Sequence, residues 1–389
     1  MKQRLIPDYF EEIRAKAAQR WDQLEEDEEL AGPWWQLFRQ IQSPRHVLSE
    51  LLQNADDAGA RSAKVWIEDD VFIFEHDGED FTEEQFASLC RFGFSNKRHL
   101  HTIGFRGIGF KSTFSLGDTV ELVTPTLSVR FSKRRFTEPV WVEDAPITQR
   151  TRISVRLNKA QVITSIQKSL DEWANSTLSL LFFQNIRSLT VCGKEITRTV
   201  IGEGPVEGSE QIRLVGESDQ EILQIVSPLE EFPPEALEEI RQERMTVDPN
   251  FSLPPCSIEI VVGVSGSQRL YVVLPTDRQT RMPFSINAPF VQDPARRGIK
   301  EPSISPTNRW LLERAGQLAA KSMEEWLARE EFDQFKRAEA YQFLPSYPEK
   351  SDESDLCICS VISKYLEGHP ILLASNGSLV ERCFVPPYV

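Results

Sequence analysis

A chain of 389 residues, 40% of them hydrophobic, is long enough for two or three domains with cores of their own. Its formal net charge of −15 excludes a surface that is basic as a whole, leaving only local patches such as Lys133-Arg134-Arg135, or Arg296-Arg297 with Lys300, to meet a nucleic acid. Six cysteines without regular pairing fit reduced thiols, Cys357-x-Cys359 lacks the second pair or His cluster that a zinc site needs, and no apolar run is long enough to cross a bilayer.

Residues 1–43 read as a helical segment. A charged helix is expected over residues 1–30, with Glu25-Glu26-Asp27-Glu28-Glu29 as a solvated face, followed by Pro33 and the apolar cluster Trp34, Trp35, Leu37 and Phe38. With Arg, Asp and Glu and no apolar core, this start is not a signal peptide, so a soluble, cytoplasmic protein that makes no membrane contact is expected. Residues 44–185 read as an α+β domain with helices on one face of a mixed, mostly antiparallel sheet. Within it a helix runs from Pro44 to Asp57 and closes at Gly59. Strands at Lys64–Ile67 and Val71–Glu75 flank a turn at Glu68-Asp69-Asp70. Thr82-Glu83-Glu84-Gln85 is a capping-box pattern, with Phe86 and Leu89 at helical spacing behind it. Further strands are expected near Thr119–Val123, Leu127–Phe131, Val140–Val142 and Ile153–Leu157, then a helix from Ala160 to Phe183. Residues 186–345 read as a second α/β domain. It opens with a loop-rich acidic insertion from Gly202 to Glu243, continues with strands at Ser257–Val264 and Arg269–Leu274, and is irregular from Arg281 to Pro302. An amphipathic helix comes next, from Thr307 to Ala328, and residues 346–389 are expected to start a further region.

Two segments carry the chemistry. In Glu50-Leu51-Leu52-Gln53-Asn54-Ala55-Asp56-Asp57-Ala58, the residues Glu50, Asn54 and Asp57 stand at i, i+4 and i+7 and share one helix face, with His46 a turn earlier. Leu48, Leu51, Leu52 and Ala55 form the opposite, apolar stripe. An Asn amide oxygen can complete a magnesium shell otherwise filled by water and phosphate. A carboxylate one turn away can orient and deprotonate an attacking water. Taken alone, the same spacing also describes an ordinary exposed helix face. The second segment is Gly104-Phe105-Arg106-Gly107-Ile108-Gly109-Phe110-Lys111-Ser112, whose glycines let consecutive backbone N–H groups approach an oxyanion. It is not a Walker A motif, because Phe110 separates Lys111 from the last glycine and no apolar strand leads into Gly104.

In this order the motifs resemble those of the GHKL ATPases, the group containing Hsp90, MutL, gyrase B and histidine kinases, and more closely the sacsin-type branch of Hsp90-like ATPases. The Glu50–Ala58 string matches that branch's first motif nearly letter for letter. His76-Asp77-Gly78 with Phe81-Thr82 resembles its adenine-side motif, Ser95-Asn96-Lys97 the start of its lid, and Gly104 to Lys111 its second glycine box. Thr151-x-Ile153 resembles the strand threonine that helps hold adenine through water. The resemblance covers residues 45–157.

It implies a Bergerat-type α/β sandwich followed by a transducer-like α/β domain, with ATP and Mg2+ as ligands. Glu50 would be the general base, Asn54 the magnesium ligand and Asp57 a support for the pocket. Gly104, Gly107 and Gly109 with Lys111 would wrap the phosphates beneath a lid from Arg91 to Gly109, to which Ser95 and Lys97 belong. Base recognition would fall to His76, Asp77, Gly78 and Thr151. One departure stands out: aligned on Gly78, the DxGxG motif of the family has His76 where the adenine-binding Asp belongs and Asp80 at its second glycine. Either Asp77 or His76 would then meet the adenine amino group. Pro283 to Phe290 followed by Arg296-Arg297 resembles the stretch that supplies an arginine to the γ-phosphate, with Arg296 preferred over Arg297. The implied activity is slow Mg-ATP hydrolysis driving a conformational switch, with transient dimerisation, in a chaperone-like role or in bacterial genome and antiviral defence. A MutL-like ATP-gated nucleic-acid clamp and a nucleotide-sensing scaffold with negligible turnover are the alternatives.

Overall fold

The computed structural model describes residues 4–27, 29, 32, 35, 47–91, 109–145, 147–243, 252–293, 298–345 and 352–381. The chain is mixed α+β with mostly antiparallel strand pairing, and it divides into two compact units. The first comprises Met1–Arg198 with Leu214–Asp219, the second Thr199–Arg213 with Gln220–Val389. The division passes through two strands, Lys194–Glu203 and Ser209–Val215, with the N-terminal helix in the first unit and residues 352–381 in the second. Among the described residues no helix is long and apolar enough to cross a membrane.

In the first unit, β1 (Ser62–Glu68) and β2 (Val71–His76) form a hairpin. Its two turn residues, Asp69 and Asp70, take φ values of 48° and 60°, the left-handed pair whose twist matches the flanking strands. Next come β3 (Thr119–Val123), β4 (Ser128–Ser132), β5 (Arg135–Trp141), β6 (Thr151–Arg156) and β7 (Ser188–Val191). They are ordered β7-β1-β2-β6-β3-β4-β5, and every neighbouring pair is antiparallel except β1 with β7. Alternation assigns the faces. Phe72, Phe74 and His76 lie opposite Val155, Ile153 and Thr151, and all six are buried. The other face carries a ladder of opposite charges, Glu75 with Arg152 at 3.6 Å and Glu121 with Arg130 at 2.7 Å, which suits solvent.

The helix Phe10–Glu26 buries Phe10, Ile13, Ala17, Trp21 and Leu24, one stripe at three- and four-residue spacing. Trp21 donates from Nε1 to Thr137 Oγ1 at 2.8 Å, and its ring meets Phe136 edge-on at 5.0 Å. The helix Glu83–Leu89 starts with the expected capping box, Thr82 and Gln85 each accepting the other's backbone N–H. The helix that starts at Ala160 ends at Ala174 rather than continuing to Phe183. Asn175 and Ser176 stop it, and Leu181, Phe182 and Phe183 are buried beyond its end.

The helix Val47–Asp57 buries Val47, Leu48, Leu51, Leu52 and Ala55, the stripe read from the sequence. It stops where Gly59 takes φ +71°, a conformation that favours glycine. Asp56 holds its C-terminal turn in place. Buried, its carboxylate accepts backbone N–H groups of Gln184, Asn185 and Ile186 at 3.1, 2.7 and 2.9 Å.

The acidic stretch from Gly202 to Glu243, most of it in the second unit, is not loop-rich. It holds the end of β8 (Lys194–Glu203), β9 (Ser209–Val215), β10 (Gln220–Val226) and a helix, Pro234–Glu243. The acidic side chains of its strands, Glu203, Glu210 and Glu221, are exposed, while Ile212, Leu214, Ile222 and Ile225 point inward. The sheet continues with β11 (Glu259–Val262), β12 (Arg269–Val272), β13 (Leu274–Gln279) and β14 (Phe284–Asn287), the last lying inside the stretch expected to be irregular. The helix Pro306–Leu327, capped by Ser305, packs against the helix Glu353–Leu366. Helix Gln334–Ala338 and a hairpin of β15 (Pro370–Leu373) and β16 (Leu379–Glu381) complete the described chain.

Asp56→Ala leaves three backbone donors without an acceptor, a loss of about 2–3 kcal/mol or more. Urea unfolding should show that loss, with Asp57→Ala within about 0.5 kcal/mol of the parent because Asp57 is exposed.

Candidate functional site

Glu50, Asn54 and Ala58 succeed one another at four-residue intervals along one line of the Val47–Asp57 helix and its last turn. Two glycines from distant parts of the chain close on this line. A Cβ on Gly109 would stand 2.6 Å from Glu50 Oε2 and 3.5 Å from Asn54 Nδ2. A Cβ on Gly78 would stand 2.7 Å from the Ala58 carbonyl oxygen and 3.0 Å from His76 Nδ1. At Gly78 the obstacle is the Ala58 backbone, so glycine is a steric requirement there, whereas a Cβ at Gly109 would displace the end of the Glu50 side chain. The structure thus brings Glu50, Asn54 and Gly109 together at one end of the line and Gly78 and His76 together at the other.

Gly109 is positioned by the residues C-terminal to it. It opens a tight helical turn, Gly109–Ser115, that packs against the Val47–Asp57 helix. Phe110 meets Phe131 of β4 edge-on at 5.5 Å and Phe114 meets Phe136 of β5 at 6.3 Å, pinning the turn to the sheet. Ser112 Oγ donates to the Gly109 carbonyl at 2.7 Å. Lys111, fully buried, donates from Nζ to the Leu89 carbonyl at the end of the Glu83–Leu89 helix. Its position is therefore internal, bracing the turn from beneath. Burial pushes its pKa down to about 8, opposed by Cys90.

At the other end, His76 and Asp77 part company. Asp77 Oδ1 accepts the backbone N–H groups of Arg61 and Ser62, both at 2.8 Å, and Oδ2 accepts Ser62 Oγ at 2.7 Å. Burial would raise the Asp77 pKa, but these bonds and Arg150 outweigh it and hold it below the ordinary carboxylate value. Its carboxylate is thereby committed to the start of β1. His76 stays on the buried face, opposite Thr151 in the β2–β6 register. Its Nδ1 accepts the Gly78 backbone N–H at 3.1 Å, and burial pushes its pKa down to about 4, with Asp77 opposing and Arg150 assisting. Beside it, Thr151 Oγ1 is buried and has no hydrogen-bond partner among the described residues. Asp80, at the motif's second glycine position, is fixed elsewhere, accepting from Phe81 N and from both N and Oγ1 of Thr126.

Asp57 is exposed, whereas its neighbour Asp56 turns inward. Gln53 is a residue the sequence did not single out, although it stands inside the same string. Its Oε1 is buried and without a partner among the described residues. Ser62, which holds Asp77, was equally unmarked. Ser95, Lys97, Gly104, Gly107, Arg296 and Arg297, along with His46, lie outside the described residues.

Chemically, this line offers a carboxylate and an amide beside a backbone with no side chain, then a neutral imidazole and an unsatisfied hydroxyl on an otherwise apolar sheet face. Among the described residues no group of three or more His, Cys, Asp or Glu side chains could hold a metal ion. A single amide oxygen suits an ion whose other ligands come from water and a bound oxyanion. No protein-family model matches the chain, and no curated protein matches it.

Both depressed pKa values predict a sign for the pH dependence of stability. The unfolded chain binds more protons than the folded one between about 8 and 10.5 at Lys111, and between about 4 and 6.5 at His76. Stability should rise with pH through both windows, and the His76 contribution should be lost as pH falls from 6.5 to 4. Comparing Lys111→Met with the parent by thermal unfolding at pH 7.5 and 10.5 isolates the first, the variant losing that gain on alkalinisation.

Proposed function

We propose that the first unit is a Bergerat-type nucleotide-binding domain of the GHKL kind. In this reading the chain binds Mg-ATP and hydrolyses it slowly as a conformational switch. The observation that supports it most is the approach of Gly109 to Glu50 and Asn54, which joins the two segments that carry the family resemblance.

Asn54 would supply an amide oxygen to Mg2+, with water and phosphate oxygens completing the shell. Mg2+, when bound, would neutralise charge on the phosphates. Backbone N–H groups of the glycine segment would hold the phosphate end of the nucleotide close to the helix. Glu50, at the same end as Gly109, would orient a water and accept its proton on a carboxylate oxygen. Thr151 and His76 would meet the base on the buried sheet face, Thr151 Oγ1 bringing an unused hydrogen-bonding group. A lid between Arg91 and Gly109, and a transducer role for the second unit, complete the reading by analogy with the family.

Glu50→Ala should retain nucleotide binding while hydrolysis falls by about 10²–10⁴-fold. Gly109→Ala pushes a methyl onto Glu50 Oε2 and should lower turnover by about 10²-fold with the fold intact. Asn54→Ala should abolish the magnesium dependence of binding, read by calorimetry with and without the ion. An unchanged rate in Glu50→Ala would rule out the hydrolytic reading and leave a nucleotide-sensing scaffold.

A further inference from the structure

The C-terminal turn of the Val47–Asp57 helix is tied to a segment that holds, at its other end, the turn between β9 and β10. Asp56 accepts the backbone N–H groups of Gln184, Asn185 and Ile186, and Asn185 Nδ2 donates back to the Asp56 carbonyl at 3.0 Å. These bonds make residues 184–186 follow the end of the helix. The chain reaches them from Thr177 through a tight helical turn, Thr177–Leu180, and the run Leu180 to Phe183, all four of whose residues are buried. A close-packed run of this kind passes a displacement on, because the interior has no free volume to absorb it.

Thr177 stands at the far end of the run. It is buried, and its Oγ1 donates to the Ser218 carbonyl at 3.0 Å. A Cβ on Gly216 would stand 3.3 Å from both Oγ1 and Cγ2 of Thr177, so the turn rests directly on this side chain. Lys194 brackets the same turn, with Nζ 2.7 Å from Asn175 Oδ1 and 3.9 Å from Glu217 Oε1. Gly216, Glu217 and Ser218 are thus each held.

The place of this turn in the chain gives it a role. Leu214–Asp219 belongs to the first unit, whereas the rest of the hairpin, 209–213 and 220–226, belongs to the second. β9 and β10 are hydrogen-bonded neighbours with Arg213 and Glu221 paired across them, so a shift of the turn reaches both strands. A latch made of one neutral hydrogen bond and an exposed ion pair is weak enough for a bound ligand to shift. We infer that the Gly216–Ser218 turn, latched by Thr177, is the coupling element that carries ligand binding at the Glu50–Ala58 helix into the β9 and β10 strands of the second unit. The inference rests on the nucleotide reading above and assigns the route by which that site acts on the rest of the chain.

Hydrogen–deuterium exchange of the full chain, with and without magnesium and a non-hydrolysable ATP analogue, tests it. In the parent, ligand should protect 50–59 and change exchange at 209–213 and 220–226 by about threefold or more. Thr177→Val removes the donor at nearly constant shape. It should keep the protection at 50–59, speed exchange at 216–219 by about three- to tenfold, the factor of one net hydrogen bond, and abolish the response of the two strands. Thr177→Ser keeps the hydroxyl and should keep the response. Gly216→Ala, which presses a methyl onto Thr177 from the other side, should abolish it and serves should the buried valine disturb folding. Protection at 50–59 with unresponsive strands in the parent would overturn the inference and leave the nucleotide reading intact. So would a strand response undiminished by Thr177→Val and Gly216→Ala. Absence of protection at 50–59 at saturating ligand would overturn the nucleotide reading, and this inference with it.

Discussion

The approach of the Gly109 backbone to Glu50 and Asn54 is the constraint on which the rest of the site depends. With any side chain at residue 109, a Cβ would lie 2.6 Å from Glu50 Oε2 and would push the Glu50 carboxylate out of this position. The approach joins two segments remote in sequence and leaves backbone, rather than side chain, facing the polar line of the helix. Such a surface suits an oxyanion, because N–H groups can reach it without intervening atoms.

Holding two chain segments at that distance requires rigid support on both sides. On the glycine side, Phe110 and Phe114 anchor the turn to β4 and β5, and the buried ammonium of Lys111 ties it to the end of the Glu83–Leu89 helix. On the helix side, an apolar stripe fixes the rotation and Asp56 fixes the C-terminal turn through three backbone donors. Phe10 stacks on Phe86 at 6.0 Å, so the N-terminal helix steadies the helix to which Lys111 is tied. The polar residues of the site are thus placed by apolar and backbone contacts lying beneath them.

Much of this frame was legible in the sequence, where local rules govern. The Leu48, Leu51, Leu52, Ala55 stripe, the Thr82–Gln85 capping box, the Asp69-Asp70 turn and the Gly59 stop all come from short-range spacing. The sheet's mostly antiparallel character came from short connections between strands. The features that sequence reading missed depend on partners far along the chain. The adjacent carboxylates of Asp56 and Asp57 look alike as letters, yet one helical step turns the first onto backbone N–H groups of residues 184–186 and the second to solvent. The fate of Asp77 was decided by Ser62, its neighbour only because β1 and β2 pair. Between Ser209 and Val226, outward Glu210, Arg213 and Glu221 disguised strands whose inward residues are Ile212, Leu214 and Ile222.

The central claim is that the Glu50–Ala58 line, the His76–Gly78 corner and the Gly109 turn work as one nucleotide site. Hydrogen–deuterium exchange, with and without magnesium and a non-hydrolysable nucleoside triphosphate analogue, tests it most directly. The account predicts that backbone amides in 50–59, 76–81 and 109–115 gain protection together, at one ligand concentration. Saturating ligand that leaves all three segments unchanged, or protects only a surface away from them, would contradict it.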